Sequence, residues 1–257
     1  MGLAALRRRD TLAGEMPRRS PYKPPRNTVS VTLKKLLIDT GRRLLDERQS
    51  DLLRSPDLPG GKDDVRVFYA GDITFLNRKS VSIVGTREVS EEGRLRASRL
   101  ARELATSGIV VISGLAKGVD TAALESAIGA KGRVAAVIGT PLSKAYPIEN
   151  YELQETIWRS YLLMSPFAHR EAVYRANFPK RNRVMAAISD ATVIVEASDT
   201  SGTLHQAAEC QRLGRWLFIM KSVADNPSLK WPTSFLKGPN TAVLQSTEDI
   251  LRAIGHE

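Results

Sequence analysis

The 257-residue sequence holds one cysteine and three histidines. A single thiol excludes a disulfide framework and a cysteine-based zinc module. With no oxidising signature, a reducing cytoplasm is the expected compartment. His169, His205 and His256 are scattered and lack a metal-ligand spacing such as His-Glu-x-x-His. Cys210 falls in the middle of a helical pattern and reads as a small core residue. No apolar run reaches the ~18 residues of a membrane span, so no membrane partner is expected. The opening stretch, residues 1–10, lacks a signal-peptide core with a cleavage site. Leu6 stands where a myristoylation signal needs Ser or Thr. Catalytic signatures are missing too: there is no Gly-x-Ser-x-Gly elbow, no Walker A loop and no Gly-x-Gly-x-x-Gly. Nothing in the sequence pairs Asp190, Glu196 and Asp199 as acid and base. No catalysis, no cofactor and no metal are therefore expected.

Basic residues, by contrast, are in excess. Lys and Arg number 38 against 28 Asp and Glu, a formal net charge of +10. Residues 1–60 carry 13 of those 38 cations and only 7 of the acids. A basic balance suits a polyanionic partner such as nucleic acid, although solubility alone also accounts for it. Residues 1–28 combine Arg7, Arg8, Arg9, Arg18 and Arg19 with Pro17, Pro21, Pro24 and Pro25. Without apolar periodicity such a stretch reads as a disordered basic arm. Residues 29–64 read as a helical extension and linker. Leu33, Leu36, Leu37, Leu44 and Leu45 form an apolar stripe, with Lys34, Lys35, Arg42 and Arg43 largely off it.

From residue 65 the pattern changes, and residues 65–257 read as one α/β domain. Apolar runs occur at 65–71, 81–86, 109–114, 133–140, 161–165, 191–198 and 216–220. They are continuous rather than alternating, which predicts strands buried on both faces. Helical patterns over 91–107, 119–130, 181–189 and 203–213 fit the crossovers between them. The fold class is thus α/β, an extended Rossmann-like, doubly wound and mostly parallel sheet. A short helix is predicted over 246–254, with Ser246 as N-cap and Asp249 as its capping-box partner.

In such a sheet ligands bind at the carboxyl ends of the strands. Four stretches there carry anion chemistry. Gly85-Thr86-Arg87 with Ser90 joins a close backbone approach to a guanidinium. Gly114 and Gly118 bracket Lys117, with Asp120 placed to cap the following helix. Phe178-Pro179-Lys180-Arg181-Asn182-Arg183 sets three cations and an amide at a helix start. Ser201-Gly202-Thr203 offers small hydroxyl residues and free N–H groups. Singly, each also reads as a tight turn or a solvated charged face. Together along one edge they suit an extended phosphodiester chain. Phe178 or Tyr146 is placed to stack a base or simply to pack.

The order of these stretches resembles the DprA/Smf DNA-processing family. The matching text is SIVGTREVS, VVISGLAKGVDTAAL, VAAVIGTPLSKAYPIEN, NFPKRNRVMAAIS and TVIVEAS with SGTL, continuing to STEDIL. The resemblance covers roughly residues 65–254. It implies a Rossmann-like domain that binds single-stranded DNA, loads a RecA-type recombinase during natural transformation and pairs as a homodimer. By motif position it implies strand-binding roles for Arg87, Lys117, Arg181, Asn182 and Arg183, with Gly85, Gly114 and Gly202 letting backbone approach phosphates. The sequence departs from the family pattern in carrying Leu124 where a His is common, and His205-Gln206-Ala207 after SGTL. The family's C-terminal winged-helix-like domain is expected to be absent.

Two other readings use the same loops. A sensor of a small nucleotide, as in a mobile-element or defence setting, would hold one ligand rather than a strand. A nucleotide phosphoribohydrolase would need an acid after Gly-Thr, where this sequence has Leu204, His205 and Gln206. An amide cannot serve as a general base.

Overall fold

The computed structural model describes residues 21–42 and 65–256. The expected arm up to residue 20, and the helix and linker over residues 43–64, lie outside the described residues.

Among the described residues one sheet of nine strands has the order β1-β2-β6-β5-β4-β3-β7-β8-β9. The strands are β1 Val29–Thr32, β2 Arg66–Gly71, β3 Ser80–Val84, β4 Val110–Ser113, β5 Val134–Val137, β6 Leu162–Ser165, β7 Ala191–Ile194, β8 Trp216–Met220 and β9 Thr241–Leu244. From β6 to β9 every neighbouring pair is parallel, with registers such as Val81↔Ala191 and Val111↔Val134. β2 turns antiparallel against β6, and β1 against β2.

The helices are α1 Leu33–Asp39, α2 Glu91–Thr106, α3 Val119–Gly129, α4 Tyr151–Ser160, α5 Asn177–Ile188, α6 Thr203–Arg212, α7 Lys221–Ala224, α8 Trp231–Phe235 and α9 Thr247–Ala253. They cover both faces. Val81, Ile83, Val111 and Val193 pack toward α2, α3 and α9, through residues such as Leu100, Leu104, Leu124 and Ile250. Val84, Val110, Ile112 and Ile194 pack toward α1, α5 and α6, through Leu36, Val184, Ile188 and Ala207. Successive residues of a strand thus enter opposite cores, which is why the apolar runs are continuous. No described helix is long and apolar enough to cross a membrane.

Helix ends follow the local chemistry. Ser90 caps α2, its hydroxyl accepting from the Gly93 amide at 3.0 Å, with Glu91 and Glu92 in the first turn. The capping box of Ser246 and Asp249 is present at α9. Cys210 is buried, its Sγ donating to the Trp216 carbonyl at 3.0 Å, and burial pushes the thiol up to about 12.

The structure departs from the sequence expectation at the amino-terminal side. Residues 21–28 are not a detached arm. Tyr22 is buried and donates through its hydroxyl to the Leu142 carbonyl at 2.9 Å, while the Trp158 indole donates to the Lys23 carbonyl. Residues 29–32 form a strand of the same sheet, and the helix begins after it at Leu33. Thr32 caps that helix, which explains the later start.

Candidate nucleic-acid interface

The chain leaves β3 toward β4 on one side, and later returns to place β7 on the other. That reversal is the topological switch point, where the connecting loops part and a crevice opens. A cleft of about 340 Å³ lies there. Gly85, Thr86 and Arg87, leaving β3, line it together with Ser201, Gly202 and Thr203 at the start of α6. Phe178, Arg181 and Asn182, from the first turns of α5, complete the lining with the buried Asp120 and Gln206. All four predicted stretches therefore meet in one place, the second of them through Ala116 and Asp120 rather than through Gly114 or Lys117.

Backbone bonds hold these loops. The Thr86 amide donates to the Glu196 carbonyl at 2.8 Å, tying the loops after β3 and β7. Thr203 N–H donates to the Ser201 hydroxyl at 3.2 Å. Gly118, in the left-handed region at φ 78°, lies so near the Thr86 and Arg87 carbonyls that a Cβ would stand 2.5 Å from the first. The loop after β4 can therefore approach the loop after β3 only with glycine there.

Arg181 and Asp120 are the most deeply buried ionisable side chains lining the cleft. Arg181 is 5% exposed and donates through Nη1 to the Val137 carbonyl at 2.5 Å. Its guanidinium occupies the space beside Gly114, where a Cβ would stand 1.8 Å from Nη1. Asp120 accepts from the Ala116 amide at 3.2 Å. Burial pushes the Asp120 carboxyl above its ordinary value, and the Arg181 charge acts against that rise. Burial lowers the Arg181 pKa, opposed by Asp120.

The rim is more open. Arg87 is exposed, with its guanidinium carbon 5.3 Å from the centroid of the Phe178 ring. Phe178 in turn meets Tyr146 at 5.5 Å between centroids. A second hollow of about 380 Å³ adjoins the first, lined by Arg87, Gly114, Lys117, Lys144, Tyr146 and Phe178 among others. Lys117 is exposed there and paired with Glu149 at 2.7 Å. Gly114 and Lys117 therefore belong to this second hollow and not to the cleft.

Other expected site residues are placed differently. Ser90 donates through its hydroxyl to Glu196 Oε2 at 2.6 Å while capping α2, and it does not line the cleft. Arg183 pairs with Glu209 at 3.2 Å, on the side of α5 facing α6. Lys180 is half-buried and lines neither hollow. Gly118 serves the loop packing described above. Asp199 accepts from the Lys230 and Trp231 amides and so holds the start of α8. The residue missed by the sequence reading is Lys144, whose signal was its place in the loop after β5. Among the described residues no His, Cys, Asp or Glu cluster has the grouping to hold a metal ion. Gln206 is fully buried against the Thr192 hydroxyl at 3.3 Å, an amide with no role as a base.

A family model described as DNA recombination-mediator protein A matches residues 61–255. The DNA processing protein DprA of Bacillus subtilis is 30% identical over 73% of this chain and 63% of its own length. That of Streptococcus pneumoniae is 35% identical over 64% of this chain and 58% of its own. The chain thus spans less than two-thirds of the length of these curated relatives. The crystal structure of the S. pneumoniae protein superposes with a TM-score of 0.65 at 30% identity, covering 73% of this chain and 65% of that one. DNA processing protein A of Helicobacter pylori, a structure concerned with single-stranded DNA binding, superposes at 0.68 over 89% of this chain and 95% of that one. At 24% identity it speaks for the fold.

Proposed function

The chain belongs to the DNA recombination-mediator protein A family, and from that premise we propose that it binds single-stranded DNA through its phosphate backbone. The observation that carries this is the meeting of Gly85–Arg87, Phe178–Asn182 and Ser201–Thr203 around one cleft at the carboxyl edge of the sheet. Arg87 and Lys117 are the exposed cations of the rim, and Gly202 before α6 leaves open space where backbone can approach a phosphate. Glu149 holds Lys117 in place, and an exposed pair of this kind is weak enough to exchange for a phosphate. The Phe178 and Tyr146 rings offer a sequence-tolerant surface for bases. Arg181 acts from beneath, and Asn182 lines the wall. Lys180 and Arg183 contribute to the basic field rather than to the cleft. Handing the strand to a RecA-type recombinase and pairing as a homodimer complete the proposal, supported by the resemblance of motifs to DprA/Smf proteins. The activity is binding and not catalysis.

The test is fluorescence anisotropy of a labelled single strand at two salt concentrations, with Arg87→Glu beside the wild type. Arg87 is the right position because it is exposed, whereas charge reversal at the buried Arg181 would disrupt the fold itself. Affinity is expected to fall with salt at a log–log slope of about −0.7 per phosphate neutralised. Arg87→Glu should weaken binding to every sequence alike and reduce that slope by roughly one contact. Absence of strand binding even at low salt overturns the proposal.

A further inference from the structure

Rim cations account for attraction to a chain of phosphates, but not for the cleft beneath them. Three donors converge on that cleft from three elements. The first is Arg181. It is 95% buried and lines the cleft, yet its Nε has no hydrogen-bond partner. Buried donors of this kind almost always find one, because leaving them unmade carries the full desolvation penalty. The second is the Gly202 N–H ahead of the 10-residue helix α6, whose next three amides, Thr203, Leu204 and His205, already donate to Ser201 and Gly202. Space is open where a Gly202 Cβ would stand. The third is the Arg87 guanidinium at the mouth. The volume, about 340 Å³, is that of a small-ligand site with room for a single nucleotide.

We propose that this cleft takes the phosphomonoester group of one nucleotide, supplied either by the phosphorylated end of a DNA strand or by a free nucleoside monophosphate. A phosphomonoester carries a charge of about −1.5 to −2 at neutral pH and three strong acceptor oxygens. An internal phosphodiester offers one charge and fewer free oxygens. Donors from three directions, one of them a buried guanidinium, match the former. Asp120 also faces Arg181, and burial already favours its protonated form. An anion nearby strengthens that preference and removes the repulsion. Phe178 borders the same space and meets the base. The inference rests on the strand-binding reading in using the same edge of the sheet. It adds that an end is selected over a length.

The experiment uses the whole chain and internally labelled strands of one sequence. Phosphorylated ends, hydroxyl ends and a closed circle are compared by anisotropy, with deoxythymidine monophosphate as competitor. The phosphorylated end is expected to bind roughly tenfold tighter than the hydroxyl end, the worth of one added charge-assisted hydrogen bond. Gly202→Asp places a carboxylate in open space at the α6 terminus and should erase the ratio between phosphorylated-end and hydroxyl-end affinity, which is read within the variant so that a general loss of strand affinity cancels. Competition by the free monophosphate assigns the site to nucleotides generally, and its failure alongside an end preference assigns it to strand ends. Equal affinity for all three strands, with no competition, overturns the inference while strand binding survives. Monophosphate binding without any strand binding supports the cleft and overturns the rim reading. An end preference that persists in Gly202→Asp also overturns the cleft inference.

Discussion

Two arginines are buried at opposite ends of α5, and the protein satisfies them to different degrees. Arg42 lies at the carboxyl end. It donates to the Ile188 carbonyl at 2.6 Å, to Leu76 at 3.0 Å, to Arg78 at 3.2 Å and to the Ser80 hydroxyl at 2.7 Å. Its charge meets the negative end of the helix dipole, with Asp190 3.8 Å away. Arg181 lies in the second turn from the amino end. It makes one bond to the Val137 carbonyl, faces Asp120 and leaves Nε unmade, at the positive end of the same dipole. Burial lowers the pKa of both guanidinium groups. Burial therefore does not distinguish their roles, but hydrogen-bond saturation does. Arg42 is a clamp joining α5 to the loop before β3. Arg181 is a cation held where the protein leaves donor capacity for something else.

The largest effect is expected where saturation is greatest. Arg42→Met keeps the side-chain length and removes every one of those bonds. It takes a donor from the Ile188, Leu76 and Arg78 carbonyls and the guanidinium charge from Asp190, which keeps the Ser80 amide as a donor. A loss of about 3–5 kcal/mol in urea unfolding is expected, with strand affinity per folded molecule unchanged. A loss below about 1 kcal/mol would break the comparison, because Arg42 would then be no clamp. Gly114→Ala addresses the other end. Its methyl group would stand 1.8 Å from Arg181 Nη1, so the guanidinium must move. A loss of about 1–3 kcal/mol is expected from overpacking, together with weaker strand binding. Lost stability with affinity intact would make Arg181 a second clamp.

The contrast between the two arginines was hidden in the sequence, whereas much of the frame around them was not. β3 to β8 are legible because both of their faces are buried, which writes them as continuous apolar runs. β1 and β9 are not, because Val-Ser-Val-Thr and Thr-Ala-Val-Leu are short and only half covered. α4 is missed because Gln154 and Ile157 are its only buried positions amid polar residues. The loops of the site are legible because a doubly wound sheet fixes where its strand ends point. Which cations face the ligand is not. In Lys180-Arg181-Asn182-Arg183 each residue turns about 100° from the last along the helix. Packing alone decides that Arg181 enters the interior while Arg183 turns to Glu209. Arg42 had the same problem: beyond a leucine stripe it reads as a solvated charge, and only the tertiary fold brings the end of α5 to it.

The smallest expected effect is electrostatic and tests the amino end directly. Burial holds the Asp120 carboxyl above its ordinary value of 3.8. The folded chain therefore keeps a proton in a pH window where the unfolded chain has lost it. Where the folded state binds more protons, stability falls as pH rises. Asp120→Asn removes that dependence. The stability difference between wild type and variant should thus shift in favour of the variant as pH climbs from about 4 toward neutrality. Urea unfolding at a series of pH values reads it. A flat difference across that range would mean that Arg181 keeps the carboxylate charged throughout. The pair at the amino end would then be as fully matched as the clamp at the carboxyl end, and Arg181 would have no capacity left for a phosphate.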